Sequence, residues 1–151
     1  MLKNIPSMLS PELLKVLMEM GHGDEIVIAD GNFPAASIAL ETVSGQLIRL
    51  DGHGVPEVLK AILQLFPLDG YADKAVALME VVSGDPVKTP IWDEYRKIIN
   101  ATEESAKFDD FEYIERFTFY ERAKKAYAVI ATSESAQYAN VILKKGCIKV
   151  L

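Results

Sequence analysis

Little in this sequence supports the chemistry that thiols, histidine clusters or long apolar runs bring. It holds one cysteine, Cys147, so no internal disulfide can form, and a reducing compartment is the simplest home for that thiol. Histidine occurs twice, as His22 and His53, each in a glycine-flanked loop. Neither has a second histidine at ligand spacing, and HxxxH and CxxC are both missing, so we expect no bound metal. The glycines form neither GxGxxG nor GxxxxGK(S/T), which excludes phosphate cradles of those types and leaves no reason to expect a nucleotide or other cofactor. No window approaches the ~20 apolar residues of a membrane span. The N-terminal apolar stretch is broken by Lys15 and Glu19 and lacks a small-residue cleavage site, unlike a signal peptide. Positive charge is also short: 16 Lys and Arg face 22 Asp and Glu, a formal net charge of −6. Such a surface gains nothing from nucleic acid or an anionic membrane. We therefore expect a cytoplasmic protein, and binding of a neutral small molecule stays open.

What is present reads as one ordinary domain over residues 1–151, long enough to bury a sizeable core without a staple. Ser10-Pro11-Glu12 is a helix start, with a capping hydroxyl, proline at the first helical position and an acid near the positive end of the dipole. Leu13, Leu14, Val16, Leu17 and Met20 mark its apolar face, and Gly21 ends it. Residues 25–29 (EIVIA) read as an interior strand stopping at the turn signal Asp30-Gly31. A second loop, 51–54, precedes a helix from about Val55 to Phe66. Lys74 to Val82 reads as a buried strand, and Thr89-Pro90 opens another helix. A polar loop is expected over 100–110, then a strand at 111–114, a helix at 117–125, a strand at 127–132 and a last one at 140–143. Strands and helices alternate without a linker or repeat. The expectation is a single α/β domain, its mainly parallel sheet covered by helices on both faces, with ligands outside the carboxyl ends of the strands.

Taken singly, the polar residues are ambiguous. His22 lies between a helix and a strand and can carry a proton near neutral pH, yet a solvated loop histidine is twice as common a reading. Asp30 ends an apolar strand where ligand groups usually sit, and is at least equally suited to turning the chain. Asp69 closes the Leu65-Phe66-Pro67-Leu68 run and reads equally as a turn residue. Arg116, Tyr120, Tyr138 and Asn140 are suited to gripping hydroxyls, although a lone Arg or Tyr is more often surface packing. Met79 reads equally as strand core.

Several longer blocks shift that balance. Gly21-His22-Gly23-Asp24-Glu25-Ile26-Val27, Ala29-Asp30-Gly31-Asn32-Phe33-Pro34, Glu115-Arg116-Phe117-Thr118-Phe119-Tyr120-Glu121-Arg122-Ala123 and Tyr138-Ala139-Asn140-Val141-Ile142-Leu143-Lys144-Lys145-Gly146 resemble the L-fucose mutarotases, whose sister family is D-ribose pyranase. Ser10-Pro11-Glu12-Leu13-Leu14, Leu68-Asp69 and Thr89-Pro90-Ile91-Trp92 extend the likeness, in order, over nearly the whole chain. The Arg116–Ala123 block is the part that looks like fucose mutarotase rather than pyranase. Two positions depart from the pattern: Asn32, where some bacterial members have histidine, and Ala139, where many fucose enzymes have Tyr-Gly-Asn.

The resemblance implies His22 as proton donor and Asp69 as a second catalytic group, with Asp30, Met79, Arg116, Tyr120, Tyr138 and Asn140 contacting L-fucose. It also implies a homo-oligomer with sites near subunit contacts. The chemistry suits these residue types. Interconverting anomers opens the cyclic hemiacetal, protonating the ring oxygen while a proton leaves the anomeric hydroxyl, and then recloses it after rotation of the aldehyde. No redox centre or external nucleophile is needed, and a positioned acid/base contributes ~10²–10⁴-fold. The alternatives are a D-ribose pyranase working through the same open aldehyde, and a monosaccharide-binding module without turnover.

Overall fold

Helix α1, Pro11–Glu19, begins where the sequence places it because the Ser10 hydroxyl accepts the Leu13 N–H at 3.2 Å. In this computed structural model, which describes residues 1–103 and 108–150, it leads into β1, Glu25–Ala29. Then follow α2, Ala35–Ala39, β2, Leu47–Leu50, and α3, Val55–Ile62. The second half runs β3, Val76–Met79; α4, Ile91–Asn100; β4, Glu112–Ile114; α5, Arg116–Lys124; β5, Ala128–Thr132; and β6, Val141–Lys144.

The six strands form one sheet in the order β2-β5-β1-β6-β3-β4. Neighbours β2/β5, β5/β1 and β3/β4 are parallel, whereas β6 runs antiparallel between β1 and β3. The expected mainly parallel sheet is thus present, with one reversed strand near its middle. Period-2 alternation splits β1 between two cores: Ile26 and Ile28 join α1, α3 and α4, while Val27 and Ala29 join α2 and α5. Helices therefore cover both faces, as expected. Fully buried side chains such as Leu13, Ile26, Ile28, Leu59 and Ile130 each contribute roughly 1.5–3 kcal/mol of transfer free energy.

Boundaries differ from the expectation in intelligible ways. Helix α3 stops at Ile62 rather than Phe66 because the Leu65 and Phe66 N–H groups both turn back to the Ile62 carbonyl. Strand β3 is shorter than 74–82, and Val82 is exposed. Helix α2 and strand β2 were not anticipated. The former has only 5 residues, too few to show a helical period, and the latter is an edge strand. The loop expected over 100–110 falls partly on residues 104–107, outside the described residues, and α4 itself extends to Asn100.

The reversed strand is what organises the functional groups. Ile28 and Leu78 both pair with Val141, so the start of β6 lies between the carboxyl ends of β1 and β3. Its far end pairs Lys144 with Glu25 and Leu143 with Val76, reaching the amino ends of the same two strands. Helix α5 is tied to the sheet by Arg122, whose guanidinium donates to Glu25 at 2.6 Å and to Glu112 at 2.7 Å.

Candidate functional site

Eight residues were expected to form the site, and they fall at two ends of the sheet. Six gather at the carboxyl ends of β1, β3 and β4. Asp30 directly follows β1, Met79 closes β3, and Arg116 opens α5 two residues after β4. Tyr138 and Asn140 come with the segment entering β6, and Met79, Tyr120 and Tyr138 pack in one cluster with Phe33.

Asp30 is the hub of this group. Its backbone N–H donates to Asn140 Oδ1 at 2.7 Å, while its carboxylate accepts the N–H of Asn32 at 3.0 Å and of Ala139 at 3.3 Å. Burial pushes its carboxyl above the ordinary value, and those backbone N–H groups oppose the shift without cancelling it. Asp30 thus turns the chain and also fixes Asn140, leaving the Asn140 amide N–H groups to offer a ligand. On the flank, Arg116 Nε donates to the Tyr120 hydroxyl at 3.2 Å, and the Phe33 ring meets Tyr120 edge-on with centroids 5.6 Å apart.

Tyr138 adopts φ +56, a left-handed conformation costing a non-glycine residue about 1–3 kcal/mol and kept only where its surroundings hold it. Its hydroxyl donates to Asp85 at 2.7 Å, which with burial raises the phenol above its ordinary value, so it stays protonated. Ala139 has no such backbone requirement and is fully buried among the α1, α3 and α4 side chains. Alanine in place of the glycine of Tyr-Gly-Asn therefore neither strains the chain nor lies on the Met79 and Tyr120 side.

The other two candidates lie at the opposite end. His22 Nε2 and Asp69 Oδ1 are 3.0 Å apart, the imidazole side chain 46% exposed and the carboxylate 6%. Gly23, at φ +87, makes the turn that follows His22, and its N–H donates to the Lys145 carbonyl at 2.8 Å. Asp69 is placed by backbone pairing to Lys144, and that pairing depends on Gly146, where a Cβ would stand 2.5 Å from the Leu68 oxygen. Burial works to raise the Asp69 carboxyl, but the Tyr71 N–H at 3.0 Å, the His22 ring and Lys144 outweigh it and hold it below the ordinary value. It is an ionised carboxylate at neutral pH.

The span of β1 from Glu25 to Asp30 is about 16 Å at ~3.3 Å per residue. One monosaccharide bound to a single chain cannot touch both ends. A concavity beside Asp69, walled by Leu68, Gly70, Lys74 and Phe108, contains none of the six groups at the far end. Among the described residues, no cluster of three or more His, Cys, Asp or Glu side chains could hold a metal ion, and no helix is long and apolar enough to cross a membrane. Asp85, Trp92 and Tyr95, none of them expected in the site, bond to the 138–139 segment. Only Trp92 carried a signal, as the end of the Thr89-Pro90-Ile91-Trp92 block.

Comparison with known proteins extends the picture. Residues 3–148 match the RbsD / FucU transport protein family. A fucose mutarotase of Danio rerio is 51% identical over 97% of this chain and 94% of its own length. Among solved structures, FucU from Bifidobacterium longum is 58% identical, covering 97% of this chain and 100% of its own, with a TM-score of 0.91. The fucose mutarotase of Streptococcus pneumoniae in complex with L-fucose is 51% identical, covering 98% and 100%, with a TM-score of 0.87. Bacillus subtilis RbsD complexed with D-ribose is more distant, at 25% identity and a TM-score of 0.68 over 99% of this chain and 100% of its own.

Proposed function

The chain belongs to the RbsD / FucU transport protein family, and from that membership we propose that it interconverts the α and β anomers of L-fucose. The carrying observation is near full-length likeness, at 51% identity, both to a fucose mutarotase and to one solved with L-fucose bound. A D-ribose pyranase is the second reading, and the 25% identity to the ribose-bound relative makes it the weaker one. A non-catalytic sugar-binding module would have no use for the His22–Asp69 pair.

Asp30, Met79, Arg116, Tyr120, Tyr138 and Asn140 bind the sugar in this reading. Arg116 and Asn140 donate to hydroxyls, the tyrosine rings cover an apolar face, and Met79 meets the exocyclic methyl of a 6-deoxy sugar. Met79 is 5% exposed, so it offers the pocket only the tip of its side chain. His22 moves the proton. With ionised Asp69 accepting from Nε2, the proton of the neutral ring sits on Nε2, and Nδ1 is free to accept a proton from one sugar oxygen and return it to the other. Asp69 works through His22 by fixing the tautomer and stabilising the imidazolium.

The separation of the two ends makes a second copy part of this reading. A homo-oligomer that docks the His22 end of one chain against the Asn140 end of another brings donor and binding groups together, whereas one chain cannot. The exposed thiol of Cys147 supports a reducing, cytoplasmic setting. Exchange NMR on α- and β-L-fucose tests the proposal: cross-exchange accelerated above the spontaneous rate is expected, and no acceleration would overturn it.

A further inference from the structure

Helix α4 carries two hydrogen-bond donors aimed at successive carbonyls of the segment that enters β6. Trp92 Nε1 donates to the Tyr138 oxygen at 2.8 Å, and the Tyr95 hydroxyl donates to the Ala139 oxygen at 2.7 Å. At i and i+3 the two side chains share one helix face, which accounts for their reaching adjacent peptides. Tyr95 is fully buried, and burial holds its phenol far above its ordinary value, so it remains a donor. Ala139 is thereby held at both of its backbone polar groups, its N–H by Asp30 and its carbonyl by Tyr95. Tyr138 is gripped at its carbonyl by Trp92 and at its hydroxyl by Asp85. This is the segment whose backbone takes a positive φ.

The geometry points to Trp92 and Tyr95 as positioning residues that hold Tyr138 and Asn140 in sugar-binding geometry from behind the pocket, with the Trp92 indole reporting occupancy. The inference rests on the assignment of Tyr138 and Asn140 to sugar contact. Neither α4 residue needs to touch the ligand. Loss of either donor frees a carbonyl beside a backbone that is unfavourable on its own, so the segment relaxes and the two contacts are lost together. Because His22 and Asp69 stand at the other end of the sheet, the proton-transfer machinery is left intact.

The test uses exchange NMR to separate KM from kcat for L-fucose in the wild-type chain, Trp92→Phe and Tyr95→Phe, with thermal melts to confirm folding. Both variants should raise KM about 10-fold or more with kcat nearly unchanged. A purely structural role would lower the melting temperature without that split. Trp92 is the one tryptophan of the chain, so wild-type emission should also shift saturably as L-fucose is added, and should do so equally in His22→Ala. A folded Trp92→Phe with parental KM, or a loss confined to kcat, overturns the inference. So does emission indifferent to saturating L-fucose, a readout that does not depend on either variant folding. A wild-type chain that does not exchange L-fucose fails differently: it overturns the functional assignment, and the positioning role falls with it.

Discussion

His22 Nε2 lies 3.0 Å from Asp69 Oδ1, pairing a half-exposed imidazole with a nearly buried carboxylate. In the proposed reaction that asymmetry separates mover from holder, with the exposed ring facing the sugar and the buried acid acting through it. Replacing His22 with Ala should slow L-fucose anomer exchange by ~10²-fold or more. Asp69→Asn should fall between that variant and wild type, because the ring remains but its tautomer is no longer fixed. His22 sits in an exposed loop, and Asp69 keeps the Tyr71 N–H when the ring is removed, so the variant should stay folded and bind L-fucose, with a melting temperature lowered by the lost pairing to Asp69. A folded His22→Ala protein exchanging at the parental rate would show that His22 is only a loop histidine.

The carboxyls at the two ends should respond to pH in opposite senses. Asp69 is held below its unfolded value of about 3.9. Its ionised form therefore stabilises the fold above that value, and the stabilisation is lost as pH falls through the lower, folded one. Asp30 is raised, so the fold binds its proton more tightly than the unfolded chain does. Stability on its account falls as pH rises from about 3.9 through the raised value. In melts from pH 3 to 7, the gap between wild type and Asp69→Asn should widen with rising pH, and that between wild type and Asp30→Asn should narrow. Parallel trends would contradict the two environments.

Much of this arrangement is legible in residues. Ser10-Pro11, Asp30-Gly31 and Thr89-Pro90 mark real element ends because capping and turn chemistry is local. The burial of β1 and β5 follows from their unbroken apolar runs. The reversal of β6 is not local: a four-residue strand reads the same in either direction, and only pairing with β1 and β3 sets it. That reversal decides which candidates meet. Spacing alone gave no reason to put Asp30 and Asn140 in contact, 110 residues apart, and none to send His22 to the far edge. The bonds of Asp85 and Tyr95 to this segment are not legible in the sequence, because their partners are a side chain and a carbonyl supplied by tertiary structure.

Exchange should survive chelation. Opening a hemiacetal needs proton transfer and a held aldehyde, and in the proposed reaction His22 and the six residues at the carboxyl edge supply them without a metal. Rates measured before and after exhaustive EDTA dialysis should agree. A loss on chelation that one particular metal restores would require a different mechanism.

Arg116 and Tyr120 should set sugar preference. They are bonded to one another at 3.2 Å, and Tyr120 packs edge-on against Phe33, in the block that resembles the fucose mutarotases. Tyr120→Phe removes the partner that orients the Arg116 guanidinium, and should lower L-fucose exchange about 10-fold with a smaller effect on any D-ribose pyranose–furanose exchange. If the wild-type chain exchanges D-ribose faster than L-fucose, the pyranase reading takes over.

The remaining prediction follows from the roughly 16 Å between the two ends of β1. If each site draws His22 from one copy and Arg116, Tyr120 and Asn140 from another, two damaged chains can repair each other. His22→Ala supplies an intact binding end, and an Arg116→Ala/Tyr120→Phe double variant supplies an intact His22. Both sets of changes lie on exposed or half-exposed side chains, so folding should be preserved. Co-expressed in equal amounts and purified as mixed assemblies, they should restore about a quarter of the wild-type sites, since each site then has one chance in four of drawing both intact halves. Each variant alone should stay nearly inactive. If His22 and the binding groups served the same site from one chain, every site in the mixture would carry one defect or the other, and no activity would return.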